Sequence, residues 1–122
     1  MTRTGKRTLF LLRQAPYGNS LARTAIDACL ASAAFDQQPK VLFMGKGILQ
    51  LLPGQDGAAA GTRTLSKIID SFELYDIETL YVDGASLVPL GLTPDGLPGN
   101  CEILDEEGIK ALLDAADHVV SF

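Results

Sequence analysis

The first third of the chain alternates apolar and amphipathic stretches in an order that few folds accommodate. Thr8–Leu12 (TLFLL) and Val41–Met44 (VLFM) are continuous apolar runs, which is typical of strands covered on both faces of a parallel sheet. Between them, Ser20–Ala34 has the apolar spacing of a helix that packs on a sheet, with Ala22, Ala25, Ile26, Cys29, Leu30 and Ala33 on one face. A strand, a helix and a strand within about 35 residues form a βαβ unit, whose crossover is almost always right-handed.

The rest of the chain continues this alternation. Further strands are predicted at Thr79–Val82, Glu102–Leu104 and His118–Ser121. The spacing of apolar residues predicts a helix over 65–72, and short helical segments are predicted at 48–52 and 85–88. Asp105 is predicted to cap a further helix, whose apolar face is formed by Ile109, Leu112, Leu113 and Ala116. We therefore predict a single domain over residues 1–122, a three-layer α/β/α fold with a mostly parallel sheet of about five strands and helices on both faces. The order of the strands stays open.

Composition excludes several classes of function. Apolar residues make up 47% of the chain and charged residues 20%, as in a globular domain, and the net charge of −5 argues against direct, charge-driven binding of nucleic acid. No apolar run approaches the roughly 20 residues that span a bilayer, and the apolar part of the basic N-terminus is too short for a signal peptide. We expect a cytoplasmic protein with reduced cysteines, no metal and no cofactor.

One carboxylate stands where chemistry usually occurs in such folds. Asp83 directly follows the predicted strand Thr79–Val82, and ligands of open parallel sheets bind beyond the carboxyl ends of strands. Gly84 after it is expected to supply a tight turn through a positive φ. Gly45-Lys46-Gly47 also lies between a strand and a helix, so its amides could hold an anion, or the segment could be a simple turn.

The remaining reactive side chains favour structural roles. Cys29 lies on the apolar face of the first helix and is expected in the core. Cys101 is predicted in a loop before Glu102, whose charge opposes thiolate formation, and a reactive role for it is the alternative. His118 shows no triad or metal-binding spacing with other residues.

Two segments are candidates for protein–protein contact. Apolar residues crowd into the six positions 48–53, more than so short a helix can bury on one sheet face: Ile48, Leu49, Leu51, Leu52 and Pro53. They form either an interface or part of the core, and we favour the interface. The acidic loop with Tyr75, Asp76 and Glu78 is either a solvated turn or a second contact.

Several motifs resemble one known family. The runs Gly47–Gln55 (GILQLLPGQ), Leu74–Glu78 (LYDIE) and Ala85–Leu87 before Gly91-Leu92 are similar to the TusC/DsrF branch of the DsrE/DsrF-like proteins, as is Ala15–Gly18 (APYG) after the first strand. The resemblance covers nearly the whole chain, and QLLPGQ is its most specific part.

The resemblance implies a subunit of a sulfur-relay heterohexamer with TusB-like and TusD-like partners. Such a complex passes persulfide sulfur from TusA to TusE for synthesis of 2-thiouridine at the tRNA wobble position, whereas DsrF-like subunits belong to DsrEFH complexes in sulfur oxidation. The family's carrier cysteine lies in the TusD/DsrE subunit after the strand that corresponds to Thr79–Val82, and Asp83 falls at or next to that position.

These observations lead to three hypotheses. The main one is a structural subunit of the relay without independent catalysis, because a carboxylate at Asp83 cannot carry persulfide sulfur. The second is a sulfurtransferase that uses Cys101, and the third is an anion-binding module that uses Gly45-Lys46-Gly47.

Overall fold

A computed structural model describes residues 7–13, 21–34, 39–51, 72, 77, 79–97 and 100–122. Its strands and helices follow one another along the chain as β1 Thr8–Leu12, α1 Leu21–Ala34, β2 Lys40–Phe43, β3 Leu80–Asp83, β4 Cys101–Leu104, α2 Glu106–Ala115 and β5 His118–Ser121. Three short 3₁₀ segments lie between strands: Gly45–Leu51 after β2, and Gly84–Ser86 and Pro94–Gly96 between β3 and β4.

The five strands form one sheet in the order β4-β3-β2-β1-β5, and every neighbouring pair is parallel. All five predicted strands are present: β1 and β5 have the predicted bounds, and β2 and β3 are each shifted by one residue. β4 begins one residue earlier than predicted, so Cys101 is the first residue of a strand and not part of the preceding loop. Parallel pairing brings the carboxyl ends of β2, β3 and β4 to a common edge, where Asp83 lies opposite Leu104.

Two apolar clusters lie on opposite faces of the sheet because successive side chains of a strand alternate between faces. One joins α1 to the sheet and contains Phe10, Leu12, Ala25, Ile26, Cys29, Val41, Phe43, Leu80 and Val82. The other contains Leu9, Leu42 and Leu112, with Ile109 and Ala116 of α2 packed against it. The three-layer α/β/α architecture predicted from the sequence is thereby confirmed.

Helix α2 begins as the sequence predicts and packs with one difference. The Asp105 side chain accepts a hydrogen bond from the Gly108 amide at 2.8 Å and so caps the helix. Leu112 is buried, but Leu113, one position further round the helix, is 39% exposed. Of the helix predicted over 65–72, only Phe72 lies within the described residues, and it is fully buried. In the part of the chain that the structure describes, no helix is both long enough and apolar enough to span a membrane.

Candidate functional site

Asp83 ends β3 at the carboxyl edge of the sheet, and its carboxylate is held in place by two hydrogen bonds. Oδ1 accepts from the Ala85 amide at 3.2 Å, and Oδ2 accepts from the Ser86 hydroxyl at 2.7 Å. The first bond caps the short 3₁₀ segment Gly84–Ser86, since the Asp83 backbone is still extended. The carboxylate therefore has a structural task at the position that the sequence singled out.

Gly84 is required here for a reason that differs from the prediction. It is not among the glycines with a positive φ, so the turn does not depend on a left-handed backbone. A Cβ on Gly84 would lie 3.0 Å from the Ile103 Cγ2 atom and 3.2 Å from the Leu104 carbonyl oxygen. Glycine thus allows the end of β3 to approach the end of β4 closely.

Ser86 connects the ends of two neighbouring strands. Its Oγ donates to Asp83 and accepts a hydrogen bond from the Gly45 amide at 2.9 Å, so the segment after β2 is tied to the segment after β3. The Gly47 amide donates to the Met44 carbonyl at 2.9 Å. Two of the three amides of Gly45-Lys46-Gly47 are therefore used inside the chain, which favours the turn over the anion site.

A cleft of about 710 Å³ opens beside Asp83, and we call it the carboxyl-edge cleft. It lies between the end of β3, the end of β4 and the first turns of α2, and it is lined by Asp83, Gly84, Ala85, Ile103, Leu104, Asp105, Glu106 and Ile109. The ionisable residues that line it are all acidic in the described part of the chain, and aliphatic side chains make up most of the remaining lining. Sequence reasoning identified Asp83 and treated Asp105 as a helix cap, but it missed Ile103 and Glu106 because no local pattern relates them to residue 83.

Neither cysteine is placed for nucleophilic chemistry. Cys29 is fully buried in the cluster under α1, and burial raises the pKa of its thiol far above the ordinary range. Cys101 is the first residue of β4 and pairs with Leu80, three residues before Asp83. It therefore lies at the amino ends of the strands, about 10 Å along the strand direction from Asp83 at the carboxyl ends. Cys101 is half-buried, and burial, and not the charge of Glu102, raises the pKa of its thiol to about 11.

The apolar segment after β2 divides between core and surface. Ile48 and Leu51 are 0% and 2% exposed and belong to the cluster under α1, so the prediction that their side chains contact another subunit is wrong for this conformation. The physical reason is the 3₁₀ geometry: with three residues per turn, positions 48 and 51 point to the same side, toward the core. Leu49 lies between them and is half-buried.

The other predicted contact residues cannot be placed. Leu52, Pro53, Tyr75, Asp76 and Glu78 lie outside the described residues, so their role stays a prediction. His118 is exposed at the start of β5, opposite Thr8. Among the described residues, no group of three or more histidine, cysteine or carboxylate side chains is arranged to hold a metal ion.

Comparisons with known proteins agree with this arrangement. The chain matches the model of the DsrE/DsrF-like family over residues 6–122. It is 34% identical over 113 residues to a TusC homolog of Vibrio parahaemolyticus, covering 93% of this chain and 96% of that protein. It is 33% identical to the intracellular sulfur oxidation protein DsrF of Allochromatium vinosum, with 100% of both chains covered.

A solved structure supports the fold independently of sequence. The crystal structure of the YchN protein of Escherichia coli superposes with a TM-score of 0.83 at 14% identity and covers 96% of this chain and 99% of that one. At so low an identity the likeness concerns the fold alone. The family match, the two relatives and the five-stranded parallel sheet agree, and the chain belongs to the DsrE/DsrF-like family.

Proposed function

We propose that this chain is a non-catalytic, TusC-like subunit of a TusBCD-type sulfur-relay complex. In this proposal it assembles with TusB-like and TusD-like subunits into a cytoplasmic heterohexamer that passes persulfide sulfur from TusA to TusE, for synthesis of 2-thiouridine at the tRNA wobble position. Support comes from the identity of about a third to a TusC homolog over 93% of the chain.

The observation that carries the proposal is the carboxylate of Asp83. Persulfide transfer requires a thiolate that attacks sulfur on a partner protein. Where the family resemblance expects the carrier cysteine of a sister subunit, this chain has Asp83, whose oxygens accept hydrogen bonds from Ala85 and Ser86. A carboxylate cannot form a persulfide, and its charge disfavours a thiolate nearby.

The two cysteines do not replace it. Cys29 is enclosed by the core, so a partner protein cannot reach it without unfolding of α1. Cys101 lies at the amino ends of the strands, away from Asp83 at the carboxyl ends. The pKa of its thiol is about 11, so almost none of it is thiolate at neutral pH. The proposal therefore assigns the sulfur-carrying step to another subunit and a supporting role to this chain.

Contacts with the sister subunits are part of the same proposal. Leu49 is the described residue of the apolar segment that keeps a partly accessible side chain. Together with Leu52, Pro53, Tyr75, Asp76 and Glu78 it forms the proposed contact surface.

The test is reconstitution of the complex with a cysteine-free version of this subunit. The double variant Cys29→Ala, Cys101→Ala is expected to support transfer of labelled sulfur within about twofold of wild type, since Cys29→Ala removes one sulfur atom from the core without burying a polar group. Size-exclusion chromatography first establishes that the variant assembles. Loss of transfer in an assembled complex would refute the proposal, and so would stoichiometric persulfide on the isolated wild-type chain.

A second candidate function is that of a DsrF-like subunit of a DsrEFH complex in sulfur oxidation. It is favoured by the alignment with DsrF, which covers both chains completely at 33% identity. Deletion of the gene, followed by mass spectrometry of tRNA nucleosides, separates the two: loss of 2-thiouridine supports tRNA thiolation. Unchanged 2-thiouridine with impaired oxidation of stored sulfur supports the second candidate.

A further inference from the structure

We propose that the carboxyl-edge cleft is a docking site for a sulfur-carrier protein that binds the complex transiently. The segment that docks carries a lysine or arginine flanked by apolar residues. The inference rests on the proposed function, because it takes the visiting protein to be one of the carriers that exchange sulfur with the complex. It adds a surface on this subunit that recognises the carrier without bearing sulfur itself.

The cleft is apolar at its base and open at the side. Ile103 is 36% exposed, and Leu104 and Ile109 are half-buried, so aliphatic surface faces the cleft. β4 is the outermost strand on this side of the sheet, and no further strand pairs with it among the described residues. An extended or looped segment of another protein can therefore enter from the edge and cover these side chains.

The charge of the cleft identifies the kind of segment. Asp83, Asp105 and Glu106 line it, and it contains no basic side chain among the described residues. Asp83 and Asp105 are fixed by hydrogen bonds to Ser86 and Gly108, whereas the Glu106 side chain forms no ion pair or hydrogen bond with another described residue. A phosphorylated or carboxylated ligand would be repelled, and a lysine or arginine would be attracted.

Negative charge is concentrated in residues 101–122, the segment that supplies Ile103, Leu104, Asp105, Glu106 and Ile109 to the lining of the cleft. Residues 101–122 contain six acidic residues and one lysine, and this difference equals the net charge of −5 of the entire chain. Acidic residues in the first turn of α2 also stabilise the helix through its dipole, and both Glu106 and Glu107 do so. Of these two residues only Glu106 lines the cleft, and the helix dipole, which acts on both, does not account for a carboxylate in the cleft.

The polarity of the cleft favours a transient partner over a permanent one. Permanent subunit interfaces are largely apolar and depleted in charge at their centre, whereas transient ones are smaller, more polar and steered by complementary charge. A cleft with three carboxylates around a small aliphatic base has the second character. The cleft also includes Asp83, the residue at the position where the family resemblance places the carrier cysteine of a sister subunit.

The test compares two charge reversals on adjacent residues. Wild-type, Glu106→Lys and Glu107→Lys chains are each assembled with the TusB-like and TusD-like subunits, and the Kd for the purified TusA-like and TusE-like carriers is measured at low and high salt. Both variants alter the first turn of α2 by the same charge, but only Glu106 lines the cleft. For one carrier, Glu106→Lys is expected to raise Kd about tenfold and to reduce its salt dependence, and Glu107→Lys to change Kd less than about twofold.

A second pair of variants tests the apolar base. Ile103→Ala is expected to weaken binding of the same carrier, whereas Val88→Ala, at a side chain that is more exposed but lies outside the cleft, is not. Reversal of one lysine or arginine on that carrier to glutamate should restore its binding to the Glu106→Lys complex.

The possible results separate this inference from the proposed function. Normal assembly with equal effects of Glu106→Lys and Glu107→Lys, or with no binding of either carrier, overturns the docking site and leaves the subunit role intact. Failure of the wild-type chain to assemble with the two sister subunits overturns the proposed function, and the docking site with it.

Discussion

Chemical modification of Cys101 tests directly whether this chain has a sulfur-transfer residue of its own. With a pKa of about 11, roughly one Cys101 thiol in 10,000 is ionised at pH 7, against roughly one in 30 for an ordinary cysteine with a pKa of about 8.5. The thiolate of a weaker acid is also the better nucleophile, with a Brønsted coefficient of about 0.4–0.5, which restores a factor of about 10. Native Cys101 should therefore be alkylated roughly 20- to 30-fold more slowly than a free cysteine, before any steric protection by its half-buried position.

The assay is alkylation with iodoacetamide followed by mass spectrometry of the peptide that contains Cys101. Its rate should rise steadily with pH up to about pH 11, because the thiolate fraction keeps growing until the pH reaches the pKa. The same chain unfolded in urea is the control, and there Cys101 should react at the rate of an ordinary thiol. A native rate at pH 7 equal to the unfolded rate, or a rate that levels off below pH 8.5, would refute this account of Cys101.

Two further predictions concern the segment after β2. Gly47→Ala should destabilise the fold by more than about 2 kcal/mol in chemical denaturation, since its Cβ would lie 1.9 Å from the Leu12 carbonyl oxygen. The control Gly96→Ala, whose Cβ meets nothing within 4 Å, should cost less than about 0.5 kcal/mol, and equal effects of the two variants would contradict this account. Leu51→Asp should lower the melting temperature of the isolated chain strongly by placing a charge in the core, whereas Leu49→Asp should leave it nearly unchanged and weaken assembly with the sister subunits. Normal assembly of Leu49→Asp would show that this residue is not at an interface.

Much of the fold follows from local patterns in the sequence. The continuous apolar run TLFLL forms β1, and VLFM identified β2 to within one residue, because a strand buried on both faces is apolar along most of its length. The spacing of apolar residues identified α1, and Asp105 marked the start of α2 through a cap that depends only on residues within one helical turn. Such features are readable because neighbours in sequence determine them.

The site depended on contacts between distant parts of the chain. Periodicity shows that a strand is buried but not which strand lies beside it, so the order β4-β3-β2-β1-β5 was not predicted. That order brings Asp83 and Glu106 to one cleft across more than 20 positions of sequence. Similarly, the hydrogen bond from the Gly45 amide to Ser86 joins residues 41 positions apart.

The sequence by itself determined the fold class, the strands and the absence of a thiol at residue 83. Only the tertiary structure decided which way the apolar segment after β2 faces, because a 3₁₀ repeat of three residues, and not a helical repeat of 3.6, turns Ile48 and Leu51 inward together. It also decided the acidity of Cys101, since desolvation is the sum of contacts from residues that no local pattern lists.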